Sequence, residues 1–159
     1  MLVSDIGKCF RMRQDGSRLH GRACDPVKGK HAMDEQELHD RGLQLRIDMF
    51  GRDVVERRMA AFGDFGAPLQ HIINACAYGD VWSRTAVPAA TKSLAVVAMM
   101  AAAGRPEELR VHLKGALTNG CSAEQIQEIL LLVAMYCGIP LANEAHRVAY
   151  EVLREREML

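Results

Sequence analysis

The sequence predicts an all-α protein, a single-domain bundle of about six to seven helices. Two observations lead to this prediction. Apolar residues recur at the 3.6-residue period of a helix through most of the chain, and no segment shows the two-residue alternation of a β-strand. Glycine and proline residues separate the periodic segments, as they commonly do between helices. The 159 residues suffice for one domain with a sizeable core.

Residues 1–32 differ in kind from the helical domain that we expect over 33–159. They show little apolar periodicity and lack the continuous apolar run of about 7 to 15 residues found in a secretory signal. Their basic side chains outnumber the acidic ones and are Lys8, Arg11, Arg13, Arg18, Arg22, Lys28 and Lys30. We interpret this segment as a flexible or loosely docked extension. The alternative is a basic arm that contacts a partner subunit.

Two helices are predicted over residues 34–51 and 52–62. Asp34 and Glu37 have the spacing of a capping pair at the start of the first helix, and apolar residues follow at helical intervals. In the second helix the side chains expected to face inward are Val54, Val55, Met59 and Phe62.

A third helix is predicted over residues 68–78, because proline is favoured in the first turn and Pro68 stands at its start. The side chains expected on its buried side are Leu69, Ile72, Ile73 and Cys76. A short polar connector, Asp80–Thr85, follows and contains Trp82, the only tryptophan of the chain. A lone tryptophan favours a packing role over a catalytic one.

The fourth and fifth helices are separated by a sharp turn. Pro88 starts the fourth, whose apolar side chains from Leu94 onward cover nearly every side, so it should be buried by its own domain or by another subunit. Gly104 ends it, Pro106 starts the fifth helix and Gly120 closes that one.

The sixth helix starts with a capping-box pattern, Ser122 and Gln125, and carries two apolar stripes. The first stripe is Ile126, Ile129, Leu130 and Val133, and the second is Leu131, Leu132 and Met135. Two stripes require two packing partners. A last helix is expected over residues 141–154, and the surplus apolar surface of the fourth and sixth helices indicates an obligate oligomer.

Composition excludes several classes of partner. The net charge is zero, with 20 basic and 20 acidic residues, so nothing indicates nucleic-acid binding. The longest apolar run, Leu94–Ala103, is shorter than the roughly 20 residues that span a bilayer, which argues against a membrane. The five cysteines form no Cys-x-x-Cys pair, which favours reduced thiols and a cytoplasmic location.

Glu108 and His112 are the pair of residues in the fifth helix best suited to chemistry. They are separated by one helical turn and lie on one face, with His112 about 60° from the centre of the apolar stripe. Burial lowers the pKa of an imidazole and a neighbouring carboxylate raises it, so His112 could be a proton donor near neutral pH. From spacing alone, an ordinary surface ion pair is the better explanation of these residues.

Several ordered motifs extend this picture, because together they resemble the carboxymuconolactone decarboxylase family over about residues 33–153. The motifs are Tyr78–Arg84, Thr91–Leu94, Ala98–Met100, Glu107–Leu113, Asn119–Gly120 and Tyr136–Pro140. In the alkylhydroperoxidase-D-like branch of this family, the helix corresponding to the fifth opens with a Cys-x-x-Cys pair. Aligned on His112, those two positions hold Arg105 and Glu108, so the dithiol is missing and the chain resembles the decarboxylase branch.

The resemblance implies an activity and an assembly. It implies an alkylhydroperoxidase-D-like helical fold in trimers or hexamers. The implied reaction converts 4-carboxymuconolactone to 3-oxoadipate enol-lactone, in the protocatechuate (β-ketoadipate) pathway of aromatic breakdown. The lactone ring is its own electron sink in this reaction, so no cofactor is required. His146 departs from the decarboxylase pattern, which has its histidine one residue later, where Arg147 stands, and this shift bears on the shape of the substrate pocket.

Roles for individual residues follow from this reaction, which requires two carboxylates to be held and a proton to be returned to carbon. We predict that His112 is the proton donor or oxyanion partner and that Glu108 orients its ring. The side chains predicted to bind substrate are Arg84, Trp82, Lys92, Arg110 and Tyr136. Glu107 could be catalytic, although a favourable charge in the first helical turn explains it better.

Three other functions remain open at this stage. Glu108 and His112 could hold a metal, but no third ligand stands at a familiar spacing, and we predict no metal site. A peroxidase-like redox function would depend on unpaired Cys121 or Cys137. The last alternative is a non-catalytic oligomeric scaffold that retained the cleft and lost the chemistry.

Overall fold

We describe the fold from a computed structural model, which describes residues 34–159. The predicted extension of residues 1–32, which contains Cys9 and Cys24, lies outside the described residues. The regular structure of residues 34–159 is entirely helical, which confirms the all-α prediction. The elements are α1 (Glu35–Phe50), α2 (Arg52–Ala60), α3 (Gly63–Ile72), its π-helical continuation Ile73–Trp82, which we call the π segment, α4 (Ala89–Ala102), α5 (Pro106–Thr118), α6 (Ala123–Cys137) and α7 (Ile139–Glu155).

Helix ends follow the predicted signals at several places. Both predicted capping boxes form, at Asp34 before α1 and at Ser122 before α6, where the serine hydroxyl accepts a hydrogen bond from the Gln125 N–H. Gly104 and Gly120 end α4 and α5 with φ of 61° and 87°, a left-handed conformation that costs a residue with a Cβ about 1–2 kcal/mol. The predicted boundaries of α4 and α5 are therefore confirmed.

The main core lies between α4, α5, α6 and α7. The predicted stripes of α5 and α6 supply its centre, where Leu109, Leu113, Ile126 and Leu130 are each at most 1% exposed. Burying one such side chain fully contributes roughly 1.5–3 kcal/mol. This four-helix core holds α5, the helix that carries Glu108 and His112.

A second packing layer forms where α1 crosses the π segment. The crossing is close because glycine faces glycine: a Cβ on Gly42 would lie 1.8 Å from the Asn74 carbonyl oxygen, and one on Gly79 would lie 2.0 Å from the Leu38 carbonyl oxygen. Neither distance is possible, so both positions require glycine in this arrangement. The contact brings the next turn of α1 against α3 and the π segment.

The prediction for the third helix was wrong in its start and in its buried face. α3 begins at Gly63, so Pro68 lies inside it, and Leu69 and Ile72 are 53% and 56% exposed. The buried side instead carries Gly66, Gln70 and Asn74, because it faces a polar group of α1 rather than an apolar core. Phe62, also predicted to face inward, is 65% exposed.

α4 and α6 each keep an apolar side that no described residue covers. Met99 on α4 is 60% exposed, and the predicted second stripe of α6 is exposed at Leu131, Leu132 and Met135. The first stripe of α6 is packed as predicted. Within residues 34–159, no helix is both long and apolar enough to cross a membrane.

Candidate functional site

A cleft of about 530 Å³ opens between α1, α2, α3 with the π segment, and α5. This volume is within the usual range for small-molecule sites. Phe50, Val54, Ile73 and Val111 are among its apolar lining residues. The polar side chains that line it are Arg46, Arg58, Gln70, Tyr78, Glu108 and His112. The cleft thus combines two cations, one carboxylate and one imidazole around an apolar floor.

His112 stands half-buried at the edge of the core, as its spacing on the helix predicted. Its ring meets the Phe50 ring edge to face, with 5.8 Å between centroids. Burial lowers the pKa of His112 below its ordinary value, and nearby Arg58 adds to this effect while the Glu108 charge opposes it. Burial therefore favours the uncharged form of the ring.

Glu108 pairs with Arg58 from α2 rather than with the His112 ring. The Arg58 Nη1 donates to Glu108 Oε2 over 3.1 Å, and both side chains remain partly exposed. Glu108 therefore acts on His112 through its charge, and the expected orienting hydrogen bond between the two side chains is replaced by the pair with Arg58. The predicted catalytic roles of both residues stay predictions.

Arg46 is the most unusual group in the cleft. It projects from α1, is 5% exposed, and donates from Nη1 to Asn74 Oδ1 and from Nη2 to Gln70 Oε1, the latter over 3.1 Å. Its guanidinium carbon also lies 5.7 Å from the centroid of the Tyr78 ring, in a cation–π contact. All these partners are neutral. Among the residues that the structure describes, no carboxylate pairs with this buried cation.

Asn74 is held in turn by the side chains behind it. Because its Oδ1 accepts from Arg46, its Nδ2 is the atom that donates to His39 Nε2, over 3.0 Å. The His39 proton is then on Nδ1, which donates to Asp40 Oδ1 over 3.0 Å and holds the pKa of Asp40 below its ordinary value. Asn74 is 0% exposed, so this chain fixes the amide that fixes Arg46.

Three residues predicted to bind substrate meet in a different place. Trp82, Arg84 and Lys92 line a more open depression, which does not include His112. Arg84 is held by the Asp80 carboxylate, and Lys92 donates to the backbone carbonyls of Trp82 and Arg84. The Trp82 ring stacks on the Tyr78 ring with 5.8 Å between centroids, so Tyr78 lies between the depression and the cleft.

The last two predicted substrate ligands lie away from the cleft. Arg110 forms ion pairs with Glu151 and Glu155 of α7 on the outside of the helix pair. Tyr136 is 85% exposed near the end of α6 and lines none of the clefts described above. His146 lines a third depression between α6 and α7, so its shifted position does not alter the walls of the His112 cleft within this chain.

Sequence reasoning missed Arg46 and Arg58. For Arg46 a signal was present: it follows Gly42 by four residues and precedes Met49 by three, so it lies on the buried stripe of α1. A cation in such a stripe requires a polar partner, and Gln70 and Asn74 lie at the same four-residue spacing on the facing helix. Arg58 also had a signal, because it follows Val54 by four residues and Val55 by three and so lies on the side of α2 that was predicted to face inward.

The redox and metal-binding alternatives depend on the cysteines and on clusters of metal-ligating side chains. Cys121 is buried, burial raises its pKa, and its Sγ donates to the Ala90 carbonyl over 3.4 Å, which is the environment of an inert thiol. Cys137 is exposed and forms no disulfide. Within residues 34–159 no three His, Cys, Asp or Glu side chains cluster as metal ligands would.

Comparison with known proteins identifies the family of this chain. The model of the carboxymuconolactone decarboxylase family matches residues 67–151. A 4-carboxymuconolactone decarboxylase from Acinetobacter baylyi is 34% identical over 123 residues, which are 77% of this chain and 92% of that protein. A nitrosuccinic acid decarboxylase from Metarhizium robertsii is 31% identical over 120 residues, 76% of this chain and 84% of that protein. This chain therefore belongs to the carboxymuconolactone decarboxylase family.

Proposed function

We propose that the protein is a cofactor-independent decarboxylase that converts 4-carboxymuconolactone, or a closely related small lactone or carboxylate, in the breakdown of aromatic compounds. The observation that carries this proposal is the cleft, which combines His112 with Arg46 and Arg58 in a chain of this family. Arginine side chains bind carboxylates, and imidazole is the side chain best suited to proton transfer near neutral pH.

The proposed reaction needs an acceptor for two electrons and a source of one proton. The bond from the γ carbon to the leaving carboxylate breaks, and its electron pair moves through the ring double bond to the lactone carbonyl, giving CO2 and a dienolate. A proton then adds to carbon to give the enol-lactone. The lactone accepts the electrons itself, so the protein supplies charge stabilisation and the proton.

His112 is the proposed source of that proton. Burial holds the pKa of His112 below its ordinary value. A bound substrate brings negative charge next to the ring, which raises the pKa and favours the imidazolium form, with the proton taken from solvent. The imidazolium stabilises the developing oxyanion and then gives its proton to carbon, which returns the ring to its neutral form. Glu108 contributes its charge in the same direction.

The relatives support the reaction class more firmly than the substrate. One is named for 4-carboxymuconolactone and the other for nitrosuccinic acid, so both names describe the loss of a carboxyl group from a small acid. Two different substrates on similar chains fit a common decarboxylating cleft whose walls select the molecule.

We further propose a cytoplasmic homotrimer or homohexamer. The exposed apolar side chains of α4 and α6 support assembly, because a monomer would leave Met99, Leu132 and Met135 in water. Cys121 and Cys137 are unbridged, which fits a reducing compartment.

Turnover of 4-carboxymuconolactone by wild type and His112→Ala tests the function. The loss of ultraviolet absorbance and the release of CO2 measure the reaction. We expect wild type to turn over and the variant to lose about 100-fold or more in kcat, as for removal of a general acid. His146→Ala is the matched control, since that ring lies in another depression, and it should retain turnover. No turnover by wild type would refute the substrate, and full activity of His112→Ala would refute the role of the imidazole.

A further inference from the structure

We propose that Arg46 anchors the carboxylate that the substrate keeps, and that the carboxylate lost as CO2 lies away from it. The cleft is thereby selective for acids with two carboxylates. This inference rests on the proposed decarboxylation and assigns the two carboxylates of the substrate to different parts of the cleft.

The first argument is the uncompensated charge of Arg46. A cation that is 5% exposed has lost most of its hydration, and its amide partners Asn74 and Gln70 return only part of the lost stabilisation. These two bonds use two of the five N–H groups of a guanidinium, so donors remain for a ligand. An anion that enters the cleft restores the missing counter-charge without displacing a protein carboxylate.

The contrast with Arg58 strengthens this assignment. Arg58 already has a counter-ion in Glu108, and its side chain is 39% exposed, so solvent screens its charge. A substrate carboxylate at Arg58 would have to compete with Glu108. The stronger and more specific anion position in the cleft is therefore at Arg46.

Reaction energetics decide which carboxylate occupies that position. As the carbon–carbon bond breaks, the leaving carboxylate loses its negative charge to the ring. A buried cation bound to it would stabilise the substrate more than the transition state and would slow the reaction. The other carboxylate keeps its charge throughout, so holding it costs nothing in rate and fixes the ring. Arg46 therefore assists the reaction only if it binds the retained group.

Two substrates and two enzymes test the anchor. The substrates are 4-carboxymuconolactone and its analogue with the side-chain carboxylate converted to an amide, and the enzymes are wild type and Arg46→Gln. We expect wild type to prefer the dicarboxylate by about 100-fold or more in kcat/KM, mostly through a lower KM. The neutral amide of the analogue would leave the charge of Arg46 without a counter-ion. Arg46→Gln should lose activity on the dicarboxylate but not on the amide analogue, so that the preference for the dicarboxylate falls to a few-fold. Arg46→Lys, which keeps a cation, should restore part of that preference. Arg52→Gln, on the exposed face of α2, is the matched control.

Several outcomes would overturn the anchor. If wild type treats both substrates alike, or if Arg46→Gln loses equally on both, then Arg46 acts on the ring or on the fold instead. If Arg46→Gln fails to fold, Arg46→Lys takes its place on the two substrates, and equal wild-type activity on both would still refute the anchor. If wild type turns over neither substrate, the proposed function fails, and calorimetric titration with succinate still tests the anchor. Succinate binding that Arg46→Gln abolishes supports it, and absence of succinate binding to wild type refutes it.

Discussion

Replacing Asn74 by aspartate would place a carboxylate against Arg46 without changing the shape of the side chain. Asn74 is fully buried and its Oδ1 already accepts from Arg46, so an aspartate oxygen at the same position would form an ion pair. The other aspartate oxygen would replace Nδ2 and would accept from His39 once the proton of that ring is on Nε2. The buried cation would then carry its own counter-ion. We expect the variant to bind the substrate more weakly, because the retained carboxylate must share Arg46 with Asp.

The size of the effect follows from the geometry. Two carboxylates on opposite sides of one guanidinium are separated by about 7 Å, and at an effective dielectric constant of about 20 their repulsion is about 2.4 kcal/mol. This corresponds to an increase in KM of roughly 50-fold. The value of kcat should change less, because the charge added at position 74 is far from the bond that breaks.

Steady-state kinetics on 4-carboxymuconolactone measures both parameters. Asn143→Asp, an exposed position on α7, is the control for the added charge and should behave as wild type. Circular dichroism establishes that Asn74→Asp is folded. An unchanged KM in the folded variant would refute the reasoning, since the charge of Arg46 would then have no part in binding. An equal rise in KM for the side-chain amide would refute it as well.

Three further predictions concern protonation, packing and assembly. Since burial lowers the pKa of His112, the folded state resists protonation of this ring, and acidification below about pH 6.5 favours the unfolded state by up to about 1.4 kcal/mol per pH unit. In denaturant titrations, His112→Gln should therefore lose less stability than wild type between pH 7 and pH 5. An equal loss in both proteins would contradict this. Gly42→Ala should destabilise the fold by about 3 kcal/mol or more, because its Cβ would lie 1.8 Å from a backbone oxygen. Gly120→Ala, which has open space and only an unfavourable φ, should cost about 1–2 kcal/mol. Similar melting temperatures for the two variants would count against the close crossing. Met135→Lys should reduce the oligomer to smaller species in sedimentation velocity, since a charge would enter the exposed apolar stripe of α6; an unchanged sedimentation coefficient would exclude that stripe from the interface.

Local signals in the sequence predicted those parts of the fold that depend on nearby residues. The capping boxes at Asp34 and Ser122 and the glycine stops at Gly104 and Gly120 involve residues only a few positions apart, and all four formed as predicted. Helical periodicity also predicted the buried stripe of α5 and the position of His112 at the edge of the core.

The cleft itself depends on contacts between distant segments, which periodicity does not reveal. The third helix was expected to bury its apolar side, but the crossing of α1 turned Gln70 and Asn74 inward, because buried Arg46 needs hydrogen-bond partners. Arg84 and Lys92 lie within the family motifs, yet Arg84 is paired with Asp80 and Lys92 donates to two backbone carbonyls. A charged residue in a motif is therefore a poor guide to a site until its own partners are known.

The glycine crossing of α1 and the π segment makes the two ends of the cleft unequal as targets for redesign. Near Arg46, backbone lies directly against backbone, and almost any change at Gly42 or Gly79 would move Arg46. At the exposed rim, Phe62 and Leu69 line the cleft while more than half of each residue remains in solvent. Libraries aimed at new substrates should therefore vary that rim, where substitutions cost little stability, and keep the crossing intact.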